Sequence, residues 1–237
     1  MEPEQLFDDI HSFCVSNADE AIVKKYSRYF KEGFPGYGID HEKYEEKIKT
    51  ILSDPGTDLK LILAAAPLLI TTGKYEETNF AIRLTLAFPK QFTKETFLSV
   101  DHWFDIGINN WAHTDYISGE LIPLFLKKEI IQYTDLTLWR IAANKFKRRA
   151  VPVSLIKQLK TTPDFNPFFT FIDPIMMDPE REVHQGLGWF LREAWKKQPE
   201  PTETFLLKWK NSAARLIFQY ATEKMSPVQK LRFRKEK

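Results

Sequence analysis

A single cysteine, Cys14, stands in 237 residues. It excludes an internal disulfide and any four-ligand zinc site built on thiolates, and it suits a reducing compartment. The amino terminus, MEPEQLFDDIHSF, has neither the basic head nor the continuous apolar stretch of a secretion signal. The longest apolar run, around LILAAAPLLI, is too short to cross a bilayer and is interrupted by Pro67. Sustained alternation of apolar and polar residues is scarce, which argues against a sheet. Also missing are a phosphate-binding glycine loop, a dinucleotide fingerprint and any His, Cys, Asp and Glu spacing that suits a metal. No cofactor and no metal are therefore expected. These exclusions leave a protein expected to be soluble and cytoplasmic, with no membrane partner.

What is there is enough apolar residue, 43%, to bury a core. It recurs at three and four positions in IVKKYSRYF, YEEKIKTIL, FAIRLTLAF and FLLKWKNSAARLIFQY, the period of amphipathic helices. Breaks at FPGYG, SDPG, TTGK, FPKQFT, TTPDFNP, MDPE and QPEPTE divide the chain into about eleven or twelve helices of roughly ten to seventeen residues. Asp40 and Thr93 are placed to cap helices, as is Asp178 with Pro179 at a first helical position. No linker or low-complexity stretch intervenes. The expectation is a single all-α domain over 1–237, an α-α superhelix of HEAT-like repeats, with an irregular helical bundle as the other possibility. The basic tail, 226–237, is a candidate disordered end outside the expected repeats.

Net charge is only +2, but it is divided unevenly. Residues 1–118 carry 12 Lys+Arg against 19 Asp+Glu, a balance of −7, and residues 119–237 carry 22 against 13, a balance of +9. A basic second half fits a phosphate-binding surface, and a dipolar solubility pattern gives the same count.

Four stretches hold candidate chemistry. In NNWAHTDYISGE, Trp111 and Asp115 are four apart and project side by side on a helix, an aromatic face beside a carboxylate that suits a developing cation. Core packing for Trp111, with Asp115 exposed or capping, is the plainer alternative, and His113 is left out of the site. In WRIAANKFKRRAVPVSLI, the charges of Lys145, Lys147, Arg148 and Arg149 crowd together, either toward a polyanion or fanned into water. In EVHQGLGWFLREAWKK, Gly186 and Gly188 each cost a helix about 1 kcal/mol relative to alanine, so a close approach by a neighbouring helix or another molecule is implied. Beside them Trp189, Arg192 and Lys196 make a stripe of ring and positive charge. In YSRYFKEGFPGYGI, Tyr29 lies on the last turn of a helix that enters an aromatic, glycine-rich turn.

In this order and at these separations the four stretches resemble the AlkD-like family of DNA alkylation-repair glycosylases, built of HEAT-like repeats, over about residues 20–225. The elements that carry the resemblance are Tyr29 with FPGYGI, the NWAHTD pair, FKRRA and GLGWFLRE. It implies a monofunctional glycosylase of base-excision repair that removes positively charged alkylated purines, N3-methyladenine and N7-methylguanine, from duplex DNA. Asp115 takes the position of the catalytic carboxylate, and Trp111 and Trp189 those of the rings lining the cleft. Tyr29, Lys147, Arg148, Arg149, Arg192 and Lys196 are the DNA-binding candidates, with Arg148 the first choice in the basic run and Arg149 the second. The partner expected is double-stranded DNA carrying alkylated bases, bound by a monomer that joins the nucleoid when on DNA. The family works from the backbone side without a tight base pocket. Many relatives carry an acidic residue after the tryptophan and a cysteine or valine before the aspartate, where this chain has Ala112 and Thr114. The alternative is an inactive HEAT-repeat protein that binds DNA or an acidic protein partner.

Overall fold

Apolar stripes at helical spacing become helices throughout: the described residues form fourteen α-helices and no strand. The structure, a computed structural model, describes residues 1–31 and 33–236. The helices run from five to fifteen residues, shorter and more numerous than the breaks in the sequence predict, because 3-10 and π turns interrupt them. None is long and apolar enough to cross a membrane.

The described residues gather into two compact units, Met1–Ile108 and Asn109–Lys237. The first contains α1 (Pro3–Ser16), α2 (Glu20–Ser27), α3 (His41–Ser53), α4 (Leu59–Thr71), α5 (Tyr75–Leu86) and α6 (Lys94–Ile106). Its core is built on α1, α4 and α5 from Leu6, Ile10, Ile62, Leu69, Ile70, Phe80 and Leu84. Asp40 caps α3 through the amides of Glu42 and Lys43, and Thr93 caps α6 through that of Thr96, as their positions predict. Cys14 is fully buried in this core, and burial pushes its thiol well above the ordinary range, so it packs as a small apolar residue. The FPGYGI turn is held by a buried carboxylate: Glu76 accepts from the backbone N–H of Tyr37 and Gly38, each at 2.8 Å. Next to it, Glu77 Oε1 accepts from the Tyr37 hydroxyl.

The second unit contains α7 (Trp111–Tyr116), α8 (Ile122–Lys127), α9 (Lys145–Leu155), α10 (Asn166–Ile172), α11 (Arg181–Trp195), α12 (Pro199–Trp209), α13 (Arg215–Ala221) and α14 (Pro227–Leu231). At its centre, α11 packs against α9, α12 and α13. Val183, Leu187, Phe190, Leu191 and Ala194 form the buried stripe of α11, leaving Trp189, Arg192 and Lys196 on other faces. The helix begins two residues later than Asp178 and Pro179 predict. Asp178 accepts from Glu180 N at 2.9 Å and from Arg148, which makes it the anchor of the turn before the helix rather than its cap. The basic tail folds back on this unit through α14 and Phe233, which is 1% exposed and whose carbonyl accepts from Arg215. Lys237 lies outside the described residues.

Candidate active site

Asn110 starts the reactive stretch. Its side-chain oxygen accepts from the backbone N–H of His113 at 2.9 Å and its amide donates to His113 Nδ1 at 2.8 Å. His113 is buried by this N-cap, in keeping with a packing role. The cap fixes the start of α7 and places Trp111 on its first turn, 41% exposed, with Asp115 one turn on. Thr114 and Ser118 return their hydroxyls to the carbonyls of Asn110 and Thr114, and α7 runs into a π-helical turn, Ile117–Leu121, before α8. Turns of that kind are uncommon in helices and concentrate at functional positions.

Asp115 does not stand alone. Arg149 Nε donates to its Oδ1 at 2.8 Å and Nη2 to its Oδ2 at 2.7 Å, a two-pronged grip that fixes both position and plane of the carboxylate. The remaining guanidinium nitrogen, Nη1, donates to the carbonyl of Glu182 at 2.7 Å. One arginine on α9 thus joins α7 to the first turn of α11. The Arg149 side chain is 7% exposed and that of Asp115 18%, so the acid keeps some contact with solvent while its partner is enclosed.

The sequence leaves the basic run facing either a polyanion or water, and the family resemblance implies DNA; the structure turns most of it inward. Arg148 donates to Asp178 through Nε at 2.6 Å and to the carbonyls of Ala142 and Ala143 through Nη1. Lys147 is 7% exposed, with Nζ 5.8 Å from the centre of the Trp139 ring. Lys145 meets Glu180 and Glu182 at 3.6 and 3.3 Å. The mutual repulsion of four neighbouring cations is offset from within, largely by acids of α7 and of the turn into α11.

On α11 and just after it, Lys196 is exposed and Arg192 half-buried. Arg192 pairs with Glu193 and Glu223, and Lys196 Nζ lies 2.7 Å from Glu193. Burial alone would raise Glu193, but hydrogen bonds from Lys196 and Arg192 outweigh it and hold the carboxyl below its usual range. Trp189 is partly exposed on α11. Beside it, Gln185 donates to the Tyr220 hydroxyl at 2.9 Å. Tyr29, in the first unit, is exposed and lies against the Arg28 guanidinium, which also donates to its hydroxyl at 2.8 Å.

The pairing of Asp115 with Arg149 is the feature that sequence reasoning misses, and the Glu182 carbonyl with it. Arg149 is 34 residues from Asp115, and nothing in its local sequence distinguishes it from Arg148. Gly186 was the available signal, since a helix glycine implies a neighbour pressed close. Among the described residues no group of three or more His, Cys, Asp or Glu is placed to hold a metal ion.

A family model described as "DNA alkylation repair enzyme" matches residues 15–225. Among solved structures, the chain is similar to a "Predicted DNA alkylation repair enzyme" from Enterococcus faecalis, with a TM-score of 0.72 and 16% identity over 89% of this chain and 98% of that one. It is also similar to AlkD2 from Streptococcus mutans, with a TM-score of 0.59 and 22% identity over 85% of this chain and 98% of that one. At such identities the likeness is one of fold. No curated protein matches the sequence.

Proposed function

The chain belongs to the family of DNA alkylation repair enzymes, and from that premise we propose that it is a monofunctional glycosylase removing cationic alkylpurines from duplex DNA. The observation that carries this is the carboxylate of Asp115, locked in plane by Arg149, partly exposed to solvent and one helical turn from an exposed indole.

An N3- or N7-alkylated purine carries a formal positive charge, so it leaves with the electrons of the glycosidic bond as a neutral base. Little acid catalysis is needed. Positive charge grows on C1′ and the ring oxygen of the sugar as that bond lengthens. A carboxylate already fixed in place stabilises the charge without having to reorganise. Asp115 also orients water for attack at C1′; water's oxygen forms the new bond, and its proton passes by way of the carboxylate to solvent. The faces of Trp111 and Trp189 add roughly 0.5 to 2 kcal/mol each toward a cation, depending on desolvation. Neutral lesions should be poor substrates.

Arg149 serves this chemistry through Asp115. Lys196, and Arg192 through its pair with the exposed Glu223, are the stronger candidates for phosphate, because ion pairs with an exposed partner are worth only about 0.2–1 kcal/mol and exchange readily for another anion. Tyr29, exposed on the first unit, is proposed as a DNA contact of that unit. Such contacts set register without reading sequence, and binding should weaken steeply with salt. The enzyme would act as a cytoplasmic monomer wherever it meets alkylated DNA.

A second reading, DNA binding without catalysis, draws on the same pair, since both carboxylate oxygens already accept from Arg149. Release of 7-methylguanine from methylated duplex DNA separates the two. Wild-type protein should release it, while Asp115→Asn should bind the duplex and release on the order of 10²–10³-fold more slowly. Binding by the wild type with no release of any alkylpurine would select the second reading.

A further inference from the structure

α9 and α11 meet at a residue without a side chain. A Cβ added at Gly186 would lie 3.1 Å from both the Cγ and the carbonyl oxygen of Arg149, and 3.5 Å from Pro152 Cγ. The first of these atoms belongs to the stem whose far end grips Asp115, and the second is α9 backbone, which has no rotamer by which to move aside. A methyl group here therefore displaces α9 at Arg149 by a few tenths of an ångström. The Glu182 carbonyl, one helical turn earlier on α11, holds Nη1 of the same guanidinium. Pushing the stem while the tip stays tethered tilts the fork that defines the plane of Asp115.

The neighbouring glycine has another task. A Cβ at Gly188 would lie 2.4 Å from Tyr220 Cβ and 2.8 Å from the Ile217 carbonyl, so that gap seats α13. Two glycines in one helix are thus accounted for separately, one by packing against α13 and one by the residue that holds the acid.

We propose that Gly186 is a positioning residue for Asp115 and acts through Arg149. The proposal rests on the glycosylase reading for its effect on rate, while its effect on the Arg149 to Asp115 tie can be measured without DNA. Alanine favours a helix interior more than glycine does, so a slower Gly186→Ala enzyme cannot be ascribed to a frayed α11.

The experiment is a double-mutant cycle on the full chain with Gly186→Ala, Arg149→Met and the two combined, read by single-turnover release of 7-methylguanine and by duplex affinity. Gly186→Ala should slow release on the order of tenfold, with affinity within about twofold of wild type, because small misplacements act on the chemical step. In the Arg149→Met background the same substitution should add no further loss. Equal fractional losses in both backgrounds, or an unchanged rate, would overturn the proposal. A second cycle uses urea unfolding to measure the coupling between Arg149 and Asp115, with Asp115→Asn as the partner substitution, in two series of proteins, one with Gly186 intact and one carrying Gly186→Ala. Shrinkage of the coupling in the substituted series supports the positioning role even if wild-type protein releases no base, in which case the glycosylase reading alone fails. Undiminished coupling sinks the positioning role whatever the activity.

Discussion

Arg148→Met separates a DNA contact from an internal clamp. The substitution keeps the apolar stem and removes a guanidinium that is bound to Asp178 and to the carbonyls of Ala142 and Ala143. Arg148 and Asp178 side chains are 13% and 5% exposed, so the carboxylate has little water to turn to. Breaking a buried pair by deleting one partner costs about 3–5 kcal/mol. The Glu180 amide, which Asp178 retains, argues for the lower end, about 3 kcal/mol. At about 2–4 °C per kcal/mol for a chain of this size, the melting temperature should fall by roughly 6–12 °C. Replacing both partners, as Arg148→Met with Asp178→Leu, should restore most of that loss, because no unpaired charge then remains. The paired assay is duplex binding by fluorescence anisotropy across a salt series. A phosphate contact lowers the slope of log K against log salt by about 1 when removed, whereas an internal clamp leaves it alone. Unchanged melting together with a slope lowered by about 1 would refute the clamp and return Arg148 to the DNA surface.

Other consequences are testable in the same preparations. The depressed Glu193 carboxyl has a lower value folded than unfolded, so its stabilisation is complete above the ordinary carboxylate range and is lost as pH falls through the folded value. Glu193→Gln should therefore cost about 0.5 kcal/mol at neutral pH and nothing once both states are protonated; urea midpoints at the two pH values measure it, and an equal gap at both contradicts it. Phe233→Ala, which empties a buried site under the basic tail, should destabilise the protein by about 3 kcal/mol, and an unchanged urea midpoint would show that the tail is not part of the fold.

The helical class was legible because burying one face of a helix forces apolar residues to recur at its period, and that signal is local. Asp40 and Thr93 were legible for the same reason, each acting on amides two or three residues away. Asp178 misled because its carboxylate is engaged by an arginine 30 residues distant, a competition invisible in the local pattern. The same limitation applies to the basic run: a count of charges records that four cations are adjacent, but not that Asp115, Asp178, Glu180 and Glu182 fold toward them. The motif resemblance did point to the family that the chain belongs to. Both α11 glycines announced a close approach, and only the packing of α9 and α13 against that helix decides which neighbour approaches which.

The π-helical turn at Ile117–Leu121 has a geometric consequence for the residues on either side. In an uninterrupted α-helix Asp115 and Ile122, seven apart, would fall within about 20° of each other, and Trp111 would share their side. Ile122 and Phe125 are wholly enclosed, so that arrangement would drive the acid and the indole into the interior. The wider turn accommodates about one extra residue, a slip in phase of about 100°. Thr114 and Ser118, both wholly enclosed, hold the near end to the protein, and the wider turn is where its phase meets that of Ile122 and Phe125 while Trp111 keeps 41% of its surface open.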